Sequence, residues 1–390
     1  MKIGIDCRIY GPKHTGIGRY VQNLVENLMQ IDKENEYVLF ANRDSEEEFE
    51  NLKFDIKNSL KIKNLKFKIE FVNVKHYSLK EQLLLPGLIK KDGIDLMHFP
   101  HFNVPFFYKG KYIVTIHDLI KHASKGRQTT TRSSWLYWFK YLGYKIVFRQ
   151  AIKRATKIIT PSQFVKSELS KEYGIDQKKV MVIYEGVDPK FIVHSSLFKK
   201  SEILGKYKIK KPFLLYVGSV YPHKNIERLL EATKSLQTTD YRLQLVIVCA
   251  RNVFFKRLSN KIEQMRAGEY VKMTGFVSDE ELAVLFKEAE AFVFPTLSEG
   301  FGLPGLEAMS IGCPVLCSDI PVLREVYKDN AVYFNPFDPK DIAGKIKNLM
   351  SDKNLQEKLR MIGPEHTKKY SWKKTAEETL KIFNSIAKFT

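Results

Sequence analysis

The chain alternates between short apolar runs and segments whose apolar residues recur at helical spacing. Each run is four to eight residues long and rich in Val and Ile, as expected of strands buried on both faces. After a first strand at Lys2–Cys7, the runs read YVLF, IDLMHF, YIVTIH and TKIITPS in the first half, then FLLYVGSV, LQLVIVCA, AFVFPT and PVLCSD. This alternation predicts the α/β class, with two doubly wound parallel sheets between helices.

The strand pattern is interrupted after VIYEGVDPKF by a charged segment, and a new series of strands opens at Pro212. We therefore expect an N-terminal domain at 1–190 and a C-terminal domain at 191–370. The tail, 371–390, reads as an amphipathic helix with Ser371 as a candidate N-cap, and we assign it to the first domain. Doubly wound sheets bind ligands at the carboxyl ends of their strands, so the expected site is a cleft between the domains.

The charge of the chain is concentrated in one segment. The 390 residues carry a formal net charge of +20, and 119–167 contains eleven Lys or Arg and no Asp or Glu. Such a basic bias suits nucleic acid, an anionic membrane or a phosphorylated substrate. Because no recognised nucleic-acid motif accompanies it, we do not expect nucleic acid as a partner.

The basic segment also contains a predicted helix with large apolar residues on one side. Its apolar residues at helical spacing are Trp135, Trp138, Phe139, Leu142 and Ile146, and its basic residues include Lys140, Lys145 and Arg149. One interpretation is a helix that lies in an anionic membrane surface and contacts a lipid-linked acceptor. The alternative is an ordinary domain helix with a buried aromatic face and a solvated basic face.

Cysteine use and hydropathy address the compartment. The four cysteines are scattered and predict buried thiols in a reducing environment. Asp6 interrupts the first apolar run before a signal-peptide core can form, and no apolar run approaches the ~18 residues of a membrane span. We expect a cytoplasmic protein that is peripheral on the inner face of the plasma membrane if the basic helix binds lipid.

The stretch SEGFGLPGLEAMSIGCPV, residues 298–315, carries the strongest chemical signal. Glycines before a helix let the backbone approach a ligand, and the free N–H groups at a helix start attract a phosphate. Glu307, expected in the first helical turn, would suit ribose hydroxyls, and Glu299 would face the group beyond the phosphates. The alternative is a favourable first-turn charge at Glu307 and a solvated loop residue at Glu299.

The same stretch closely resembles the Glu-x7-Glu signature of the retaining nucleotide-sugar glycosyltransferases of family four. Further segments resemble that family's blocks in the expected order: HTGIGRYVQNL, VTIHDLI, IITPSQFVKSEL, VIYEGVDPKF, YVGSVYPHKNIERLLEA and YSWKKTAEETL. The resemblance implies the GT-B fold of two facing Rossmann-like domains. It implies a hexosyltransferase that uses a nucleotide-sugar as substrate and needs no cofactor.

Carried over by residue, the resemblance assigns Glu299 and His117 to the reacting sugar and Glu307 to the ribose. It places the diphosphate and sugar against Phe301, Gly302 and Leu303. It also implies that Gly16 and Gly18 let the first domain close over the donor, and that Lys224 neutralises the leaving diphosphate. Many relatives carry Arg where this chain has Ser219, which we expect to be a weak donor contact supported by His223 or Arg228.

The resemblance further implies retention of the anomeric configuration, with the leaving diphosphate helping to deprotonate the acceptor hydroxyl. There is no Asp-x-Asp motif, and His98 and His101 lack further ligands, so we expect no metal and interpret both histidines as loop residues. Our preferred donor is GDP-mannose over a UDP-sugar such as UDP-glucose. The expected acceptor is a lipid-linked or oligosaccharide hydroxyl in cell-surface polysaccharide biosynthesis. The alternative of another class is a basic nucleic-acid- or membrane-binding protein without catalysis.

Overall fold

Two parallel β-sheets organise the chain, each in its own compact unit. The structure is a computed structural model that describes residues 1–58, 66–120, 134–188, 200–237, 242–251 and 253–387. The chain passes from the first unit to the second between Gly186 and Val187 and returns between Ser371 and Trp372. The α/β class with two doubly wound sheets is confirmed.

The first unit is built on a seven-stranded sheet in the order β3-β2-β1-β4-β5-β6-β7. Its central strands are buried along nearly their whole length because helices cover both faces of a parallel sheet. The strands are β1 (Lys2–Asp6), β2 (Glu36–Ala41), β3 (Lys66–Phe71), β4 (Leu96–Phe99), β5 (Tyr112–Thr115), β6 (Lys157–Thr160) and β7 (Val180–Val182).

The helices of the first unit connect these strands, and one arrives from the end of the chain. They are α1 (Thr15–Ile31), α2 (Glu46–Asn58), α3 (Leu79–Lys91), α4 (Ser134–Arg154), α5 (Gln163–Tyr173) and α14 (Trp372–Ala387). The last helix packs against α1, and its wholly buried Phe383 lies 5.7 Å from the His98 ring between centroids. This packing explains why the tail follows helical periodicity.

The second unit repeats the design with a six-stranded parallel sheet in the order β10-β9-β8-β11-β12-β13. Its strands are β8 (Phe213–Val217), β9 (Gln244–Val248), β10 (Val271–Gly275), β11 (Ala291–Phe294), β12 (Val315–Ser318) and β13 (Val332–Phe334). Its helices are α6 (Lys200–Lys206), α7 (Ile226–Leu236), α8 (Val253–Gln264), α9 (Asp279–Glu288), α10 (Leu303–Ser310), α11 (Pro321–Tyr327), α12 (Pro339–Ser351) and α13 (Lys353–Thr367).

Each sheet reverses its winding at one place. In the first sheet the reversal lies between β1 and β4, and in the second it lies between β8 and β11. The connections from two such strands leave in opposite directions, so a crevice opens at their carboxyl ends. The loops after β8 and β11 therefore meet at the reversal of the second sheet.

Candidate active site

Two loops that carry predicted donor-binding residues meet at the reversal of the second sheet. The loop after β8 holds Ser219 and Lys224, and the loop after β11 holds Glu299. The Lys224 Nζ donates a hydrogen bond to Glu299 Oε1, and both side chains are largely buried, at 15% and 12% exposed. The ammonium also lies 5.5 Å from the centre of the Phe294 ring. An ammonium and a carboxylate are thus held together at the carboxyl edge of this sheet.

Hydrogen bonds between the two loops fix this arrangement. The main-chain oxygen of His223 accepts from the Leu297 N–H at 2.8 Å. Asn225, in the left-handed conformation with φ +60°, donates through Nδ2 to the carbonyls of Pro295 at 2.9 Å and Pro336 at 2.7 Å. Our reading of the PHKN block singled out its lysine and missed this asparagine, although Asn is the residue that best tolerates that conformation after Gly.

The glycine loop between Glu299 and α10 is held by a tyrosine from α11. The Tyr327 hydroxyl donates to the Gly302 carbonyl, and Gly302 has φ +95°. A Cβ at Gly305 would lie 2.2 Å from the same hydroxyl oxygen, so a side chain there would displace the wholly buried Tyr327. These contacts explain both glycines and fix the start of α10, where N–H groups without intrahelical partners attract anions.

The remaining predicted residues of this loop are placed around the start of α10. Phe301 is buried at 4% exposed, and its ring lies 5.7 Å from that of Tyr370. Leu303 begins the helix and is half-buried. Glu307 is also buried, at 6% exposed, but it is the fifth residue of α10, so our expectation of a first-turn position was wrong. The helix begins at Leu303, four residues before Glu307, so Glu307 lies in its second turn.

The side chains expected to support Ser219 have other partners. Ser219 is half-buried, and its carbonyl accepts from the Tyr216 hydroxyl at 2.6 Å. Arg228 donates to Asn225 Oδ1 at 2.7 Å and lies over the Phe337 ring. Burial and the nearby Lys224 lower the pKa of His223 to about 4, so its ring is neutral at neutral pH. Lys224 is therefore the cation that these loops place beside Glu299.

In the first unit, the predicted glycines lie at the start of α1. A Cβ at Gly18 would lie 2.1 Å from the Gly11 carbonyl oxygen, so the close approach of two backbone segments requires glycine there. Gly16 is exposed, and a Cβ there would meet nothing within 4 Å. Packing within this unit therefore requires glycine at position 18. At position 16 the unit has room for a side chain.

His117 follows β5, and each of its ring nitrogens lies within hydrogen-bonding distance of an oxygen atom. Nδ1 lies 3.1 Å from Glu185 Oε1, and Nε2 lies 2.9 Å from the Pro100 carbonyl oxygen. A carboxylate and a carbonyl oxygen both accept, so both contacts are hydrogen bonds only when the ring is an imidazolium. Burial by itself favours the neutral ring, but Glu185 outweighs it and raises the pKa of His117 above its ordinary value. The Tyr20 ring packs edge-on against it at 4.6 Å.

His98 differs from our interpretation of it as a loop residue, whereas His101 does lie in a loop. His98 lies within β4, is wholly buried, and its Nε2 is 2.9 Å from Thr115 Oγ1. Burial, with the nearby His117, lowers the pKa of His98 to about 3. Only His101 follows the strand. Among the described residues, no group of three or more His, Cys, Asp or Glu is placed to hold a metal ion.

The predicted apolar stripe of the basic helix faces outward. Trp138, Leu142 and Ile146 on α4 are 54%, 57% and 51% exposed, and Lys145 and Arg149 on the same side are exposed. The opposite side carries Phe148, wholly buried in the core. The side chains of Trp135 and Lys140 lie outside the part of the chain that the structure describes.

This stripe continues onto two neighbouring segments that sequence reasoning missed. Leu79, Leu83 and Leu84 on α3 are 83%, 67% and 52% exposed, and Phe106 and Phe107 are 38% and 56% exposed. The Phe106 main chain connects the helices, since its N–H donates to Gln82 Oε1 at 2.6 Å and its carbonyl accepts from Gln150 Nε2 at 2.5 Å.

We call these eight exposed residues of α3, the Phe106–Phe107 turn and α4 the apolar surface of the first unit. A helix long and apolar enough to cross a bilayer is not found in the described part of the chain.

The His117–Glu185 pair gives a prediction about pH. Because the pKa of His117 is raised on folding, the pair stabilises the fold fully below the unfolded pKa of about 6.5, and this contribution is lost as pH rises through the folded value. Other charged or titratable groups facing the ring are Asp118, His98 and Tyr20. We expect the His117 pKa to fall in Glu185→Gln, measured by NMR titration.

Denaturant unfolding gives the second readout for that pair. The difference in unfolding free energy between the wild type and Glu185→Gln is expected to shrink between pH 6.5 and pH 9. A His117 that titrates below about 6.5 in the wild type, or is unmoved in the variant, would contradict the assignment of an imidazolium.

Three comparisons place the chain among known proteins. The family model described as Glycosyltransferase Family 4 matches 14–191, and the model described as Glycosyl transferases group 1 matches 199–366. The O-antigen chain mannosyltransferase RfbU of Salmonella typhimurium is 32% identical over 267 residues, 68% of either chain. The O-antigen chain mannosyltransferase B of Escherichia coli is 27% identical over 378 residues, 95% of this chain and 96% of that one.

A solved structure matches the fold over the whole length. The sucrose-phosphate synthase of Thermosynechococcus elongatus has a TM-score of 0.75 at 17% identity, covering 100% of each chain. At that identity the likeness concerns the fold alone, which is the two-domain GT-B architecture. Taken with the two family models and the Salmonella relative, it leads to one conclusion: the chain belongs to the family-four glycosyltransferases.

Proposed function

We propose that the protein transfers mannose from GDP-mannose, with retention and without a metal ion, to a hydroxyl of a lipid-linked or oligosaccharide acceptor in cell-surface polysaccharide biosynthesis. The observation that carries the proposal is the Lys224–Glu299 pair, held beside the glycine loop at the reversal of the second sheet. The sugar is proposed from the names of the two relatives, both called O-antigen chain mannosyltransferases.

The donor roles follow from the charges at this edge of the sheet. Lys224 is paired with Glu299 beside the glycine loop, so a diphosphate at the start of α10 competes with Glu299 for the ammonium. As the glycosidic bond breaks, negative charge grows on the diphosphate and the ammonium stabilises it. Once the Lys224 ammonium binds the diphosphate, the Glu299 carboxylate is free to stabilise the positive charge that develops at the anomeric carbon. Glu307 is assigned to the ribose hydroxyls.

In the proposed mechanism the anomeric configuration is retained although no protein group attacks the anomeric carbon. In this mechanism the diphosphate oxygen accepts the proton of the incoming hydroxyl on the face from which it departs. The chain then contributes position and fixed charge rather than a covalent intermediate. His117, with both ring nitrogens donating within the first unit, contributes a fixed imidazolium rather than a base.

Donor binding is tested by calorimetry with GDP-mannose and GDP, UDP-glucose and UDP, and ADP- and dTDP-sugars. We expect one nucleotide to bind selectively, GDP by preference, and Glu307→Ala to weaken it roughly 10- to 100-fold through the loss of hydrogen bonds to a carboxylate. The matched control is Glu357→Ala, an exposed carboxylate of α13. Selective UDP binding would mean that the donor is a UDP-sugar and not GDP-mannose. Nucleotide binding by Glu307→Ala as tight as that of the wild type would overturn the placement of the ribose. If no nucleotide bound at all, the alternative without catalysis would gain support.

Stereochemistry and metal dependence are tested together on the transfer reaction. We expect ¹H NMR of the early product to show the anomeric configuration of the donor, and EDTA to leave the rate unchanged. Lys224→Ala is expected to lower kcat about 100-fold, because it removes the cation that stabilises the leaving group. An inverted product, a rate abolished by EDTA, or a trapped Glu299–glycosyl adduct would each contradict the mechanism.

Membrane association is proposed through the apolar surface of the first unit. Its exposed apolar side chains lie beside Lys145 and Arg149, a pairing that suits the interface of an anionic bilayer. A protein bound in this way is peripheral, on the inner face of the plasma membrane.

Flotation with phosphatidylcholine vesicles, with and without phosphatidylglycerol, measures this association. We expect binding only to the anionic vesicles, weakened by salt, and reduced about 10-fold or more by the double variant Trp138→Ala/Leu142→Ala, because each side chain loses its apolar burial. Met361→Ala, which changes an even more exposed apolar residue of the second unit, is the control. Unchanged flotation of the double variant, or stronger binding to duplex DNA than to vesicles, would argue against this surface.

A further inference from the structure

The winding reversal of the first sheet is occupied by a buried network of charged side chains. Arg8, which follows β1, is wholly buried and donates to both carboxylate oxygens of Asp6, at 2.8 and 2.7 Å. The same guanidinium donates to Glu81 Oε1 at 2.7 Å and to the Val74 carbonyl oxygen at 3.3 Å. A buried guanidinium is stable only when its donors are met in this way.

Glu81 extends the network to the loops that follow β3 and β4. This wholly buried carboxylate accepts from Asn103 Nδ2 at 2.7 Å and from the Tyr77 N–H at 2.8 Å, and His76 Nδ1 lies 3.3 Å away. Burial alone would raise the pKa of Glu81, but His76, Arg8 and Asn103 outweigh it and hold the pKa below its ordinary value. The ionised carboxylate therefore fixes three carboxyl-end loops relative to one another.

Tyr77 is the residue that this network holds in an unusual conformation. Its φ is +61°, in the left-handed region, where the backbone of an aromatic residue is strained. Its N–H is fixed by Glu81, while its side chain is 62% exposed. Strain of this kind persists only where the surrounding structure enforces it, and it concentrates at functional sites.

Two imidazole rings flank this tyrosine. The His101 ring, which follows β4, lies 6.2 Å from the Tyr77 ring at an interplanar angle of 86°, and the His76 ring lies at 6.1 Å. An aromatic ring offers an apolar face for the C–H groups of a pyranose, and the tyrosine hydroxyl and imidazole nitrogens offer hydrogen-bonding groups for its hydroxyls. The reversal of a doubly wound sheet is also where ligands bind.

We propose that Tyr77, flanked by His76 and His101, is a saccharide subsite of the first unit that stacks against a pyranose of the acceptor. The proposal rests on the proposed glycosyl transfer for the identity of its ligand as an acceptor. Arg8, Asp6, Glu81 and Asn103 are positioning residues, since they hold the Tyr77 backbone and do not face the sugar.

Saturation-transfer NMR tests the subsite with methyl α-D-mannopyranoside, methyl α-D-glucopyranoside and methyl β-D-galactopyranoside as probes. We expect the wild type to saturate the ring protons of at least one glycoside. Tyr77→Ala is expected to weaken binding about 10-fold, through loss of the stacked ring, and Tyr77→Phe to retain it. Tyr77→Gly, which suits the left-handed backbone, folds without strain and serves as a second variant that lacks the ring.

The control is Phe276→Ala, an exposed aromatic residue of the second unit, which is expected to bind the glycosides like the wild type. The subsite is overturned if no glycoside binds the wild type, or if Tyr77→Ala and Tyr77→Gly bind as it does. Nucleotide calorimetry on the same variants separates the two proposals. Lost glycoside binding with unchanged nucleotide binding supports the subsite, whereas glycoside binding without any nucleotide binding leaves the subsite standing and removes the transferase mechanism.

Discussion

The contact between Tyr327 and the glycine loop is the constraint on which the proposed donor site depends. The tyrosine hydroxyl holds the Gly302 carbonyl, and the ring leaves no room for a side chain at Gly305. The backbone from Glu299 to the start of α10 is therefore fixed by packing rather than by a ligand. Because this loop is fixed, the start of α10 and the carboxylate of Glu299 stand in one defined relation to Lys224.

Both units place opposite charges together at the carboxyl ends of their strands. Lys224 meets Glu299 in the second unit, and His117 meets Glu185 in the first. Each pair is largely buried, so removal of one partner leaves a charge that water solvates poorly. A polyanionic donor can bind such a site by pairing with the Lys224 ammonium in place of Glu299. Donor binding would then release the Glu299 carboxylate. The buried network around Arg8 also pairs opposite charges. Its carboxylates hold the Tyr77 backbone in place and are not proposed to bind a ligand.

Most of the fold was predictable, and the missed strands share a physical cause. The nine strands found from apolar runs fill the interiors of both sheets, where both faces are covered. The four missed strands, β3, β7, β10 and β13, are the edge strands. In KFKIEF charged residues alternate with apolar ones, and VMV is only three residues long, so neither forms a long apolar run. An edge strand can have such a sequence because it is only partly covered.

The site was less predictable, because Tyr327, Asn225 and Glu185 act through contacts with residues distant in sequence. Glu307 was expected in the first turn of α10 and lies in the second.

The most direct test of the account is a crystal structure of the protein with bound GDP. We expect the β-phosphate within hydrogen-bonding distance of Lys224 Nζ and of the amides at the start of α10. We also expect the ribose hydroxyls on Glu307 and the Lys224–Glu299 hydrogen bond lengthened or broken. A nucleotide bound away from the glycine loop, or one that leaves Lys224 bonded only to Glu299, would contradict the account.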